Sequence, residues 1–155
     1  MNIVLVEPTI PQNTGSIART CAATRTTLHL VGKLGFDISE KAVRRAGLDY
    51  WPYVSMYHHH SWKEFYEATL PQRCWYFTKF ATKPYYEAKF EIDDYLVFGS
   101  ETKGLGEEFL KRCPQESLLS IPMDEKGVRS LNLSNAVSIG LFEARRQIAL
   151  EGLSQ

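Results

Sequence analysis

The stretch Asn2–Gly32, NIVLVEPTIPQNTGSIARTCAATRTTLHLVG, decides the architecture. Asn2 to Glu7 is an apolar run of strand length closed by Pro8, and Leu28-His29-Leu30-Val31 is a second one ending at Gly32. Between them, Ile17, Ala18, Cys21 and Ala22 repeat at i, i+1, i+4, i+5, the spacing of one helical face. This predicts a helix from Asn13 to Arg25, with Asn13 as its N-cap.

The same alternation continues along the chain. Ser39 to Gly47 reads as a short helix that opens on a capping residue, stops at a glycine and carries Lys41, Arg44 and Arg45 on one face. Tyr53–Tyr57 reads as a strand. Ser61-Trp62-Lys63-Glu64 is a capping box for a helix ending before Pro71. Cys74–Thr78 and Tyr95–Phe98 are aromatic or β-branched strands, and a helix follows from Glu107 to about Cys113. Ser117–Ile121 is expected to be the last strand. The last helix, about Asn132 to Leu150, aligns Leu133, Ala136, Val137, Gly140, Leu141 and Ala144. Strands alternating with helices at this pitch predict a single α/β domain over residues 1–155, with a mostly parallel sheet flanked by helices.

Composition bounds the chemistry. The 155 residues contain 18 Lys+Arg against 18 Asp+Glu, which excludes nucleic-acid binding through bulk positive charge and requires a local patch instead. Charge is uneven. Residues 1–60 hold six basic side chains against four acids, whereas residues 84–125 hold four against ten. A phosphate-binding face is therefore expected in the N-terminal third, together with Arg129, Arg145 and Arg146. The alternative reading of these residues is solvated helix faces. Cys21, Cys74 and Cys113 are odd in number, widely spaced and without a C-x-x-C pair, which argues against a disulfide framework or zinc ribbon and suits a reducing cytoplasm. The N-terminal apolar run is too short, and lacks the positive flank, for a signal peptide or a membrane span.

Two motifs invite chemistry and one is noise. The loop Gly99-Ser100-Glu101-Thr102-Lys103-Gly104-Leu105-Gly106 follows an apolar strand, where open α/β sheets place ligands. It is not a Walker loop, because Leu105 and Gly106 stand where Lys and Ser/Thr belong, and Phe109 breaks the dinucleotide fingerprint. A ligand site and a plain strand-to-helix turn both remain open for it. His58-His59-His60 suggests a metal, yet successive strand residues point to opposite faces, so no metal site is expected. Asn132-Leu133-Ser134 matches a glycosylation acceptor that a chain without a secretory signal never presents.

Three segments in order resemble the signature motifs of the SPOUT RNA 2′-O-ribose methyltransferases: Pro11-Gln12-Asn13-Thr14-Gly15-Ser16-Ile17-Ala18-Arg19, Leu96 through Leu105, and Ile121-Pro122-Met123 with Val128 through Ala136. The likeness spans essentially the whole chain. It is greatest to the minimal branch that lacks a separate RNA-binding extension and methylates the wobble nucleotide, C or modified U, of leucine tRNAs. Asp49-Tyr50 and Phe142-Glu143-Ala144-Arg145-Arg146-Gln147 add to it.

The resemblance implies a C-terminal deep trefoil knot, although unknotted connections are the general expectation. It implies S-adenosylmethionine as methyl donor, with S-adenosylhomocysteine as product, lined by Phe77, Gly99, Ile121, Ser130 and Leu131. It assigns the catalytic task to Arg19, supported by Asn13, Glu101, Ser130 and Asn132. It also implies a cytoplasmic homodimer acting on tRNA, with no membrane or DNA partner and no metal. Because one copy offers only a small basic surface, Lys41, Arg44 and Arg45 are expected to join Arg145 and Arg146 of such a dimer in one RNA face. Methyl transfer from a sulfonium is an in-line displacement whose main demands are orientation and a nucleophilic oxygen. The resemblance gives Arg19 the task of accepting the hydroxyl proton or stabilising the alkoxide; since a guanidinium, with a pKa above about 12, is a poor general base, a second role stays open in which Arg19 positions the phosphate or hydroxyl while another acceptor takes the proton. A catalytically silent RNA-binding module, methylation of another tRNA or rRNA position, and an unrelated nucleotide-binding α/β enzyme are the competing readings.

Overall fold

The computed structural model describes residues 1–39 and 50–153. Six strands form one sheet: β1 (Asn2–Val6), β2 (Thr27–Val31), β3 (Met56–His59), β4 (Cys74–Phe77), β5 (Tyr95–Phe98) and β6 (Leu118–Leu119). Their spatial order is β3-β2-β1-β5-β4-β6 and every pairing is parallel. Among the described residues, four α-helices accompany them: α1 (Pro11–Thr24), α2 (Trp62–Thr69), α3 (Glu107–Lys111) and α4 (Leu133–Leu153).

The short apolar runs become strands because both faces of the sheet are covered, so each face can take hydrophobic side chains. Ile3, Leu5, Leu28, Leu30, Leu96 and Phe98 face α1 and α4, and meet Ile17, Cys21, Val137 and Leu141 in one buried cluster. Val4, Val31 and Val97 point the other way, to Phe65 of α2, with Tyr76 and Leu118. The chain winds outward from β1 through β2 to β3, returns, inserts β5 beside β1, and ends on β6 at the far edge. Connections leaving β1 and β5 thus diverge, and the crevice at the carboxyl ends of such strands is where open α/β sheets bind ligands.

Several sequence expectations shift. The expected Asn13 cap is corrected: α1 begins at Pro11 with Ile10 at the cap position and no side-chain cap, which puts Asn13 in the buried first turn. Proline suits that start because its missing N–H is one the first turn leaves unpaired anyway. Residues Trp51–Tyr53 form a 3-10 turn, so the strand expected at Tyr53–Tyr57 lies instead at Met56–His59. A second 3-10 turn, Gln115–Ser117, shortens the last strand to Leu118–Leu119, while Ser120 still bridges to Pro84. The expected helix at 39–47, with Lys41, Arg44 and Arg45, lies outside the described residues. Ser61 caps α2 as expected, its hydroxyl accepting from the Glu64 N–H at 3.1 Å.

The histidine run alternates as its spacing requires. His59 turns inward, its Nε2 hydrogen-bonded with His29 Nδ1 at 3.0 Å, while His58 and His60 stay exposed. Among the described residues, no group of three or more His, Cys, Asp or Glu could hold a metal. Among the described residues, no helix is long and apolar enough to cross a membrane.

Candidate functional site

A cavity of about 560 Å³ opens at the carboxyl ends of β4, β5 and β6. Three segments build it: residues 77–80 after β4, residues 98–106 after β5, and the run from Ile121 to Leu131 that leads into α4. Phe77, Gly99, Ile121, Ser130 and Leu131 all line it. Its inner wall is aromatic. Phe77 and Phe98 stack with centroids 4.5 Å apart at 20°.

Glycine is required at two places around this wall. A Cβ on Gly99 would fall 1.9 Å from the Gly104 carbonyl carbon, because the loop folds back on itself through reciprocal Ser100–Gly104 backbone hydrogen bonds of 3.1 and 3.0 Å. Positive φ in this loop belongs to Gly104 (61°) and Gly106 (87°), not to Gly99. On α4, a Cβ at Gly140 would come within 2.8 Å of Phe77 Cζ. The close approach that Gly140 permits is therefore to a ring of its own chain.

Three of the anticipated catalytic residues form one hydrogen-bonded chain. Glu101 accepts from the Thr9 N–H (2.8 Å), the Thr9 hydroxyl (2.9 Å) and the Ile10 N–H (3.1 Å), and Asn13 Nδ2 donates to it at 3.3 Å. The carboxylate of a distant loop thus supplies what α1 lacks locally: an acceptor and a negative charge at its N-terminus. Burial raises the Glu101 pKa, but the hydrogen bonds from Thr9 and Ile10 outweigh it and hold the group below the usual carboxylate value. Asn13 Oδ1 in turn accepts from Asn132 Nδ2 at 3.0 Å. Asn132 Oδ1 caps α4, taking the Ser134 N–H (2.9 Å), the Ser134 hydroxyl (2.6 Å) and the Asn135 N–H (3.3 Å). Asn13, Glu101 and Asn132 hold three loops in register around the cavity, and none of them is among its lining apart from Glu101.

Arg19 stands apart from this network. It is exposed on α1, does not line the cavity, and lies over the Tyr50 ring with its Cζ 5.8 Å from the centroid. Tyr50 donates its hydroxyl to the Gly15 carbonyl at 2.7 Å. Burial raises the Tyr50 pKa against the opposing pull of Arg19, so the phenol keeps the proton it donates. Thr9 and Tyr50 received no role from the sequence, since their partners lie 92 and 35 residues away.

The expected phosphate face changes composition. Arg146 is held by Glu143 through two bonds of 2.8 Å, and Arg145 donates to the Thr24 carbonyl at 3.3 Å. Lys79, Lys103 and Arg129 line the cavity; all three lie outside the N-terminal third, and of them Arg129 was named with the expected face.

Residues 1–142 match the SpoU rRNA Methylase family. The chain is 46% identical over 151 residues to the tRNA (cytidine(34)-2′-O)-methyltransferase of Saccharophagus degradans, covering 97% of each sequence. A solved structure described as giving insights into the 2-OH methylation of C/U34 on tRNA superposes with a TM-score of 0.86 at 47% identity, over 97% of this chain and 96% of that one. The SpoU methyltransferase AviRb from Streptomyces viridochromogenes, in complex with AdoMet, superposes at 0.79 with 26% identity, over 95% of this chain and 60% of the other.

Proposed function

The chain belongs to the SpoU rRNA methylase family, and from that premise we propose that it methylates the ribose 2′-hydroxyl of the wobble nucleotide, C or modified U, of leucine tRNAs, with S-adenosylmethionine as donor. The observation that carries the reading is that the second and third motif segments line one cavity, while the first is tied to both by the Asn13–Glu101 and Asn13–Asn132 hydrogen bonds. Relatives across the full length with this activity in their names support the tRNA position.

The residues present fit the donor. The turn at Gly99, where a Cβ cannot be accommodated, sets backbone rather than a side chain on the cavity wall, and the stacked Phe77–Phe98 pair offers an apolar base suited to an adenine. Phe77, Gly99, Ile121, Ser130 and Leu131 would hold it. When bound, S-adenosylmethionine supplies an activated methyl group. Arg19 is the catalytic residue of this reading: its guanidinium orients the target phosphate or hydroxyl and stabilises the developing alkoxide, while another group takes the proton. The Tyr50 ring and its hydroxyl bond to Gly15 steady Arg19 on the helix.

Because Arg19 does not line the cavity of its own copy, the proposal extends to a two-fold homodimer whose partner completes each site. It also includes the trefoil knot. Support comes from Ser120, which donates to Lys83 O (2.9 Å) and accepts from the Tyr85 N–H (2.8 Å), so that the segment leading to α4 runs against the 78–85 loop. One α/β domain over these residues, working in the cytoplasm, completes the reading.

The decisive experiment is nucleoside mass spectrometry on leucine tRNA incubated with the protein and S-adenosylmethionine. The expected outcome is 2′-O-methylation of nucleotide 34 alone. Methyl groups elsewhere, or none, would reject the assignment.

A further inference from the structure

Phe80 is a large aromatic side chain left 73% exposed, and it sits on the lip of the cavity rather than in the core. Its position is built. The Thr78 hydroxyl accepts from the Phe80 N–H at 3.3 Å, and Ala81 N–H donates to the Thr78 carbonyl at 3.3 Å, a turn that holds the ring outward. Lys79 Nζ lies 5.2 Å from the ring centroid, and Lys103 and Arg129 line the same opening. Among the described residues none of these three cations forms an ion pair, in contrast with Arg73, Lys111 and Arg146. The one carboxylate lining the opening, Glu101, is engaged by Thr9, Ile10 and Asn13.

An exposed ring flanked by uncommitted cations is the combination that binds a single nucleotide, because a base stacks on the aromatic face while its phosphates take the charges. From this geometry we infer that Phe80 is a positioning residue for the RNA substrate: the base of the target nucleotide stacks on its ring, with Lys79, Lys103 and Arg129 on the adjoining phosphates. The inference rests on the RNA methyltransferase reading above. Its consequence is that the target ribose is placed by a contact to the face of its base, a face that C and U both offer.

The test compares Phe80→Ala and Phe80→Tyr with the wild-type protein, using an anticodon stem-loop RNA. Binding is followed by fluorescence anisotropy, turnover by methyl incorporation, and donor affinity by calorimetry with S-adenosylmethionine. Phe80→Ala is expected to weaken RNA binding and raise its KM by roughly 5- to 150-fold, the range for one lost stack. Donor affinity and thermal midpoint should stay unchanged, and Phe80→Tyr should restore both RNA parameters. Unchanged RNA binding in the alanine variant would overturn the inference, as would an equal loss of donor affinity, which would make Phe80 a wall of the donor pocket. If the wild type binds the RNA but transfers no methyl group, the activity reading fails while the anisotropy comparison still decides the role of Phe80.

Discussion

Asn132 Nδ2 donates to Asn13 Oδ1 at 3.0 Å, joining two side chains 119 residues apart in sequence. This contact ties the N-terminus of α4 to the first turn of α1, and through Asn13 to Glu101. The two asparagines act as one brace, so their effects on stability should not add.

Asn132→Ala removes both the brace and the α4 cap, for an expected loss of about 1–2 kcal/mol in urea unfolding. Asn13→Ala should cost a similar amount. The double variant should be less destabilised than the sum, with a coupling of at least about 0.5 kcal/mol. Strict additivity would show that the contact contributes nothing.

Glu101→Gln keeps the shape but removes the charge at the α1 N-terminus. Since hydrogen bonding holds the folded-state pKa of Glu101 below the ordinary glutamate value of 4.5, its contribution is fully present above that value and is lost as pH falls through the folded pKa. The variant should be less stable than wild type at neutral pH, and the gap should close under acid. A pH-independent gap between the two unfolding curves would contradict this.

Arg19→Ala should nearly abolish methyl transfer while the thermal midpoint and donor affinity hold, because the side chain is exposed and off the cavity wall. Arg19→Lys should recover little, as a point charge cannot reproduce a planar fork of donors. Near-wild-type turnover in either variant removes Arg19 from the mechanism.

The two loop glycines should fail in different ways. Gly99→Ala forces a Cβ into the Gly104 backbone, so the protein should unfold at markedly lower temperature or remain insoluble. At Gly104 nothing lies within 4 Å, and alanine meets only the strain of φ 61°, on the order of 1–2 kcal/mol. Equal midpoints for the two variants would mean that the loop does not fold back as described.

His29 supplies a second pH signature. Burial, reinforced by the neighbouring His59, lowers its pKa from 6.5 to about 4. The unfolded chain therefore takes up this proton first on acidification, so the stabilisation is complete above about pH 6.5 and declines toward about pH 4. The full loss is on the order of 3 kcal/mol. Urea midpoints that stay level between about pH 7 and about pH 5 would show that the buried imidazole pair is not kept neutral.

Local signals sufficed for much of this molecule. The apolar runs at Asn2–Val6, Leu28–Val31 and Tyr95–Phe98, the Ser61 cap and the stripe on α4 all depend on near neighbours, and a parallel α/β sheet follows from their alternation. Phe77, Gly99, Ile121, Ser130 and Leu131 were marked by motif resemblance, and the fold gathers them around one cavity. What the local pattern could not supply was any partner chosen across the chain. Asn13 looked like a cap because its own segment offered no better one, yet the acceptor at the α1 N-terminus comes from Glu101, 92 residues beyond Thr9. Charge counting likewise groups basic residues by sequence neighbourhood, whereas the fold engages Arg145 and Arg146 in hydrogen bonds within the chain and sets Lys79, Lys103 and Arg129 at the opening. Strand identity is a property of a few consecutive residues. Which buried polar group satisfies which is settled only when the sheet brings distant loops to one edge, because the cost of an unpaired group is met by whatever partner packing places there.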